Sequence, residues 1–415
     1  MFANEITQKI DVPAVIYPLN IHSSEELGAM IRRIGADPRS NAYFQPKRRR
    51  RHLFVESADF RAAAYVKQEL LARGGDAVVA KHVIDGKADR SDVLLIGTDG
   101  QLNALSQKME AMNCWGLKEL RNGLLSVLRN TAVSSWTLPL PSGRELRLDA
   151  RTKIMGILNL TEDSFHAGSR VKNIDDLLER ASAMLRDGAD VLDVGAESTR
   201  PGSTPLPEEE ELARLIPGVK ALREALPHAV LSVDTYKGKV AAAAAAAGAD
   251  IVNDVGGFEL DPDMLTCAAR SGLPYVLSHI KGTPSDMQNA PSYDDLLSEL
   301  NVYFQKKIER AERAGLRRER LILDPGLGFG KRAKDNLLIL KEVESLSVFG
   351  RPILLGYSRK KFTGTITDAE KTDDRLLGTA AISALVEGRV QMTRVHDVRE
   401  NGRALLMARA IRETL

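Results

Sequence analysis

The chain has 415 residues, 43% of them apolar and 27% charged, with a formal net charge of +2. That length accommodates two or three domains with at least one large core, and a near-neutral balance gives no global argument for a nucleic-acid or membrane partner. Cys114 and Cys267 stand far apart with no metal-ligand spacing, so neither a disulfide framework nor a structural zinc is expected and a reducing compartment fits.

The opening residues Met1 to Ile6 lack a charged and then apolar leader pattern, and no run approaches about 18 uninterrupted apolar residues. A soluble, cytoplasmic protein is therefore expected. Residues 1–132 read as a small, separate α/β domain. Its strands are expected at 14–17, 52–55, 76–79 and 92–96, with helices at 24–34, 58–73, 101–112 and 116–128. No catalytic motif stands out in it. The basic run Lys47 to Arg51 reads as a solvated loop or strand edge, because no further basic cluster or interleaved aromatics follow.

A second domain is expected over 133–415. It starts with a hairpin in which Trp136 to Leu140 and Glu145 to Leu148 flank Pro141-Ser142-Gly143, placed to plug the base of a barrel. From Lys153 onward, short Val/Ile/Leu-rich runs alternate with helical segments. The strands are expected at 153–160, 191–197, 230–235, 251–255, 275–279, 321–325, 353–358 and 392–396. Helices are expected at about 174–187, 208–225, 237–247, 261–271, 293–314, 335–346, 373–387 and 399–413. Eight strand–helix units in about 260 residues have the size and count of a closed (β/α)8 TIM barrel built by right-handed crossovers. An open doubly wound sheet is the rival; polar residues at nearly every strand end, rather than at one switch point, favour the barrel. Asn173 is expected to cap one helix, Asp335 and Asn336 to open another, and Gly188, Gly248, Gly272 and Gly315 to close helices in the left-handed conformation.

In such a barrel the strand ends share one mouth. They supply Asn159, with Thr161, Asp163, Ser164 and Phe165 on the next loop, then Asp193, Glu197, Thr199 and Arg200. Asp234, Asn253, Asp254 and His279 come from the next three, and Asp324 is followed by the glycine-rich stretch Gly326 to Lys331. Ser358, Arg359 and Lys360 precede Arg394, His396 and Asp397 on the last strand. Acids and amides suit a flat heterocycle that both donates and accepts hydrogen bonds. Arg394 and His396 lie just before a helix N-terminus and suit an anion. A ligand with a polar ring at one end and phosphate at the other is implied, and Asn159 could offer oxygen to Mg2+ carried by that phosphate.

Several of these groups have a plainer reading. Asp193 or Asp254 could equally accept backbone N–H groups in turns. The stretch 326–331 lacks the spacing and terminal Lys-Ser/Thr of a phosphate loop, so its glycines serve a tight turn or close approach. A lone His279 reads more readily as a structural group than as a catalyst.

The segments 155–165 (MGILNLTEDSF), 193–202 (DVGAESTRPG), 232–237 (SVDTYK) and 252–255 (VNDV) together resemble the dihydropteroate synthase family closely, over about residues 136–413. So do 279–284 (HIKGTP), 323–331 (LDPGLGFGK), 358–360 (SRK) and 394–397 (RVHD), all in family order. The resemblance implies condensation of 6-hydroxymethyl-7,8-dihydropterin diphosphate with 4-aminobenzoate, giving 7,8-dihydropteroate and diphosphate in folate synthesis. By the family's pattern Asp234, Asn253, Asp324, Phe329 and Lys360 would hold the pterin, and Asn159, Arg394 and His396 the diphosphate, with Mg2+ at Asn159. Asn159, Asp234, Lys360, Arg394 and His396 would carry catalysis. Phe165, Thr199, Arg200 and Pro201 would shape the aminobenzoate pocket, where sulfonamides would compete, and a homodimer is implied. The chain departs from the pattern at Glu162, where Pro is usual, at 166–168, and at Ser278 and Ile280 flanking His279. A methyltetrahydrofolate-binding methyltransferase barrel would need neither the Arg394/His396 pair nor the Ser-Thr-Arg-Pro-Gly loop. A non-catalytic pterin-binding regulator is the other alternative, and the full set of polar strand ends argues against it.

Overall fold

The computed structural model describes residues 19, 21, 23–160, 170–197 and 205–414. Two compact units divide the chain between Leu125 and Ser126.

The first unit is built on an antiparallel sheet of β1 (Arg50–Asp59), β2 (Asp76–Val79) and β3 (Arg90–Thr98), in the order β1-β3-β2. Alternation in β3 buries Ser91, Val93, Leu95 and Gly97, and the helix Phe60–Leu71 buries Ala62, Ala63, Val66 and Leu70. The strand expected at 14–17 lies outside the described residues. β1 is longer than expected because its pairing register shifts between Val55 and Ala58, where Ser57 takes a positive φ of 50°. A helix at Ser40–Arg48, with Pro46 inside it, was not expected. The basic run is therefore not a loop: its first residues end this helix and Arg50 and Arg51 open β1. Arg51 turns inward, 8% exposed, and pairs with Asp99.

In the second unit β4 (Trp136–Pro139) and β5 (Glu145–Leu148) form the expected hairpin. Eight parallel strands come next: β6 (Lys153–Asn159), β7 (Val191–Gly195), β8 (Leu231–Asp234), β9 (Ile251–Asp254), β10 (Tyr275–Ser278), β11 (Leu321–Asp324), β12 (Leu354–Gly356) and β13 (Met392–Val395). They pair in the order β11-β10-β9-β8-β7-β6-β13-β12, and a parallel bridge from Leu323 to Ile353 joins the two ends, closing a (β/α)8 barrel. Strands buried on both faces read as continuous apolar runs, and β7 and β9 are buried at every position.

The hairpin plugs the barrel base. Leu138, Leu140, Leu146 and Leu148 join one apolar cluster with Met155, Val191, Ile251, Val276, Ile322, Leu354 and Met392, residues near the starts of their strands. At the same end Asp250, 1% exposed at its side chain, pairs with Arg144 of the hairpin and with Arg223 at 2.6 Å, and accepts from Leu231 N at 2.9 Å. Removing one partner of such a buried network strands the others. Asp250→Ala is thus expected to cost about 3 kcal/mol of stability with kcat unchanged. Denaturant unfolding alongside steady-state kinetics checks this, and a large kcat loss at unchanged stability would count against it.

Gly188, Gly248, Gly272 and Gly315 all have positive φ, as expected for helix ends. Some helix assignments differ from expectation. Asn173 is not a cap, because its helix begins at Arg170 (Arg170–Arg186). The expected helix 335–346 is Ala333–Lys341 followed by a tighter turn at Val343–Phe349. A seven-residue helix, Lys361–Thr367, was missed for its shortness.

Candidate active site

The mouth is assembled from strand ends and the residues just past them. Asp193, in mid-β7, is fully buried: its Oδ2 accepts from Arg394 Nε at 2.5 Å and from Asn253 Nδ2 at 3.1 Å, while its Oδ1 has no hydrogen-bond partner. Arg394 also donates from Nη2 to Asp234 Oδ2 at 2.6 Å. One guanidinium from β13 thus spans carboxylates from β7 and β8, and an amide from β9 joins them. Burial raises the pKa of Asp234, with Arg394 opposing.

Asp324 and Lys360 face the same opening. A β-carbon placed on Gly356 would stand 3.9 Å from both Asp324 Oδ2 and Lys360 Nζ, and 4.0 Å from Arg394 Cβ. The absence of a side chain there keeps that space open. Asp324 Oδ1 accepts from Gly326 N at 2.8 Å. Lys360 donates to the carbonyl of Leu327 and lies 4.3 Å from the Phe329 ring centroid. Burial pushes Asp324 up, against Lys360, and pulls Lys360 down to about 8, against Asp324. The two stabilise each other's charged forms.

The glycine-rich stretch packs backbone against backbone. At Gly326, with φ of 67°, a β-carbon would fall 1.9 Å from the His279 carbonyl oxygen, which excludes any other residue.

Asn159 ends β6 with an exposed side chain. His396 stands just past β13, with Nδ1 3.0 Å from Ser358 Oγ. Arg359, at φ 55°, is held by Asp397 at 2.8 Å and by Asp373. Asp254 takes the structural role, accepting from Gly256 N at 2.6 Å, Phe258 N at 2.9 Å and the Tyr275 hydroxyl. Glu197 accepts from Tyr236 Oη at 2.8 Å and pairs with Lys237, which also donates to Glu211 at 2.5 Å and to the Leu206 carbonyl at 2.6 Å. These ties anchor the chain on both sides of 198–204. Thr161, Asp163, Ser164, Phe165, Thr199, Arg200 and Pro201 lie outside the described residues.

The structure therefore gathers Asp234, Asn253, Asp324, Phe329, Lys360 and Arg394 at one mouth. Asp193, for which a structural turn role was the even alternative, and Lys331, next to Asp324, were given no ligand role from the sequence. Asp193 carried a signal, being a charge inside an otherwise apolar strand run. Lys331 carried none beyond its place after the glycines.

Residues 155–396 match the family described as pterin binding enzyme. A dihydropteroate synthase from Synechocystis is 40% identical over 262 residues, covering 63% of this chain and 90% of that one. Among solved structures, a Yersinia pestis dihydropteroate synthase in a sulfonamide drug complex superposes with a TM-score of 0.62 at 40% identity, covering 67% of this chain and all of that one. A Xanthomonas albilineans dihydropteroate synthase in complex with 7,8-dihydropteroate gives 0.59 at 35%, covering 67% and 99%. The chain belongs to the pterin-binding enzymes and, within them, to the dihydropteroate synthase family.

Proposed function

We infer that this protein condenses 6-hydroxymethyl-7,8-dihydropterin diphosphate with 4-aminobenzoate to form 7,8-dihydropteroate and diphosphate, a transferase step of folate synthesis. Beside the family membership, the observation that carries this reading is the shared space around Gly356, where Asp324, Lys360 and Arg394 converge. Asp234, Asn253 and Asp324 are suited to the donors and acceptors of the pterin ring. Lys360 beside Phe329 supplies a cation and an aromatic face at its edge.

In the reaction the C–O bond between the pterin methylene and diphosphate breaks as the arylamine nitrogen bonds to that carbon, and the amine then loses a proton. No protein nucleophile is needed. The chain's work is to hold the two reactants in line and to neutralise the leaving group. Arg394 and His396 are assigned the second task, and Arg394 is also engaged by Asp193 and Asp234. Among the described residues no group of three or more acidic, His or Cys side chains could cage a metal ion. The exposed neutral amide of Asn159 fits instead a Mg2+ that keeps its water and phosphate oxygens. When bound, Mg2+ would supply further charge neutralisation on the diphosphate. Phe165, Thr199, Arg200 and Pro201 are assigned to the aminobenzoate.

We place the enzyme in the cytoplasm, in keeping with free thiols at Cys114 and Cys267. Among the described residues no helix is long and apolar enough to cross a membrane. The exposed Leu377, Leu385, Leu406, Met407 and Ile411 on the contacting helices Leu376–Val386 and Val398–Glu413 support a homodimer. Sedimentation at the mass of one chain would count against it.

Diphosphate release that requires 4-aminobenzoate is the expected result when the protein is mixed with the pterin diphosphate and Mg2+. Pterin binding without turnover would instead favour a regulatory binding protein. Arg200→Ala is expected to raise the aminobenzoate KM roughly tenfold or more, the scale of one lost charged hydrogen bond, with the pterin KM unchanged.

A further inference from the structure

Next to Asp324, whose backbone carbonyl accepts from His279 N at 2.9 Å, lies a buried pair that the condensation itself does not use. Lys331 closes the glycine-rich stretch and is 3% exposed; His279, just past β10, is 6% exposed. Lys331 Nζ lies 2.8 Å from His279 Nδ1 and 3.1 Å from the carbonyl oxygen of Phe329. These direct partners are neutral acceptors, so the ammonium is not compensated in place. The imidazole packs edge-on to Tyr303 at 4.6 Å, within an aromatic surround.

The charges facing the pair set its state. Lys281 and Lys307 reinforce Lys331 against a proton on His279, and burial holds His279 well below its usual range. His279 is therefore held neutral, and when Lys331 carries its proton the imidazole Nδ1 accepts from it. Burial, with Lys360 and Lys281 adding to it, pulls Lys331 down to about 7, while Asp324 and Asp335 pull the other way. Asp335 is itself engaged by Arg332 at 2.7 Å, which leaves Asp324 as the carboxylate without a bound cation partner on this side. Asp324 is faced by Lys360, Lys331 and Arg394.

We infer that Lys331, held by His279, is a positioning residue that keeps Asp324 ionised when the pterin ring fills the mouth. The inference rests on the assignment of Asp324 to the pterin. A bound ring removes water from Asp324 and would drive it to protonate, in which form it loses an acceptor for ring N–H donors. Lys360 lines the opening and can turn to the ligand. Lys331 cannot, because its nitrogen is fixed from behind by an imidazole and a carbonyl. The pair also works in the correct pH range. Lys331 is charged below about pH 7, on the acid side where Asp324 would otherwise take up a proton.

The test measures the dissociation constant of 6-hydroxymethylpterin by calorimetry from pH 5.5 to 8.5 in the full-length wild type, Lys331→Met, His279→Leu and Asp324→Asn. Loss of a nearby buried charge raises the pKa of Asp324, so the acid limb of pterin affinity should move up by about one pH unit in both Lys331→Met and His279→Leu. Affinity near pH 6 should fall about tenfold in each, with little change at pH 8.5 and no change in the aminobenzoate KM. A pterin affinity reduced equally at every pH, or an acid limb that stays put while the melting temperature falls, would mean a purely structural pair and overturn the inference. Should Lys331→Met fail to fold, His279→Leu decides by the same shift. If Asp324→Asn binds pterin as tightly as the wild type, it is the assignment of Asp324 that fails, whatever Lys331→Met does.

Discussion

Replacing Asp324 with Ala should abolish measurable pterin binding at neutral pH. The carboxylate is 7% exposed and faces Lys360, Lys331 and Arg394. Its loss removes an ionised acceptor from the ring and strands Lys360, which burial already holds at about 8, beside a carbonyl oxygen and an aromatic face. Truncating one partner of a buried charge pair typically costs 3–5 kcal/mol, or roughly a hundredfold to several thousandfold in affinity. In the wild type, affinity should decline on the acid side as Asp324 protonates and on the alkaline side as Lys360 discharges above about pH 8. Calorimetric titration with 6-hydroxymethylpterin across pH checks both. Binding within threefold of wild type by Asp324→Ala would show that the pterin is held elsewhere.

Arg394→Leu should cost more than activity. Its guanidinium is the cation between Asp193, fully buried, and Asp234, and without it two carboxylates share one desolvated site in which the Asn253 amide donates to Asp193. At pH 8 the expected loss is about 3–5 kcal/mol of folding stability, the scale of a broken buried ion pair. The pH dependence has a definite sign. Burial already raises Asp234 in the folded protein, and removing Arg394 removes the main opposing influence. A carboxylate whose folded pKa lies above its unfolded value of about 4 destabilises the fold progressively as pH rises between the two. The variant should therefore approach wild-type stability near pH 4 and fall away as pH rises toward neutrality. Denaturant unfolding at pH 4.5 and pH 8 measures the difference; a deficit of equal size at both would show that Arg394 contributes packing and not charge.

Asp234, Asn253, Asp324, Lys360 and Arg394 were legible because each is a polar residue ending, or just following, an apolar run, and in a parallel barrel such positions share one rim. The partners inside that rim were not legible. That Arg394 spans Asp193 and Asp234, 201 and 160 residues away, depends on strand order and on the depth of each side chain in the barrel. Asp254 and Asn253 are adjacent, yet Asn253 looks to the mouth and Asp254 into a turn, because successive side chains on a strand point to opposite faces.

What the amino-acid sequence determined by itself is the order of elements in the second domain, the barrel they form and the set of residues at its rim. Val/Ile/Leu-rich runs alternating with helical segments specify central parallel strands, and Gly188, Gly248, Gly272 and Gly315 close helices between them. It also carried the family, through motifs that keep their order along the chain. Tertiary structure alone decided which charged and polar groups meet. Asp193 is buried with one unpartnered oxygen, Lys331 is pinned by His279, and Asp250 ties the hairpin to the barrel base. Desolvation and long-range ion pairing depend on which residues meet after the ring closes, and distance along the chain carries no record of that.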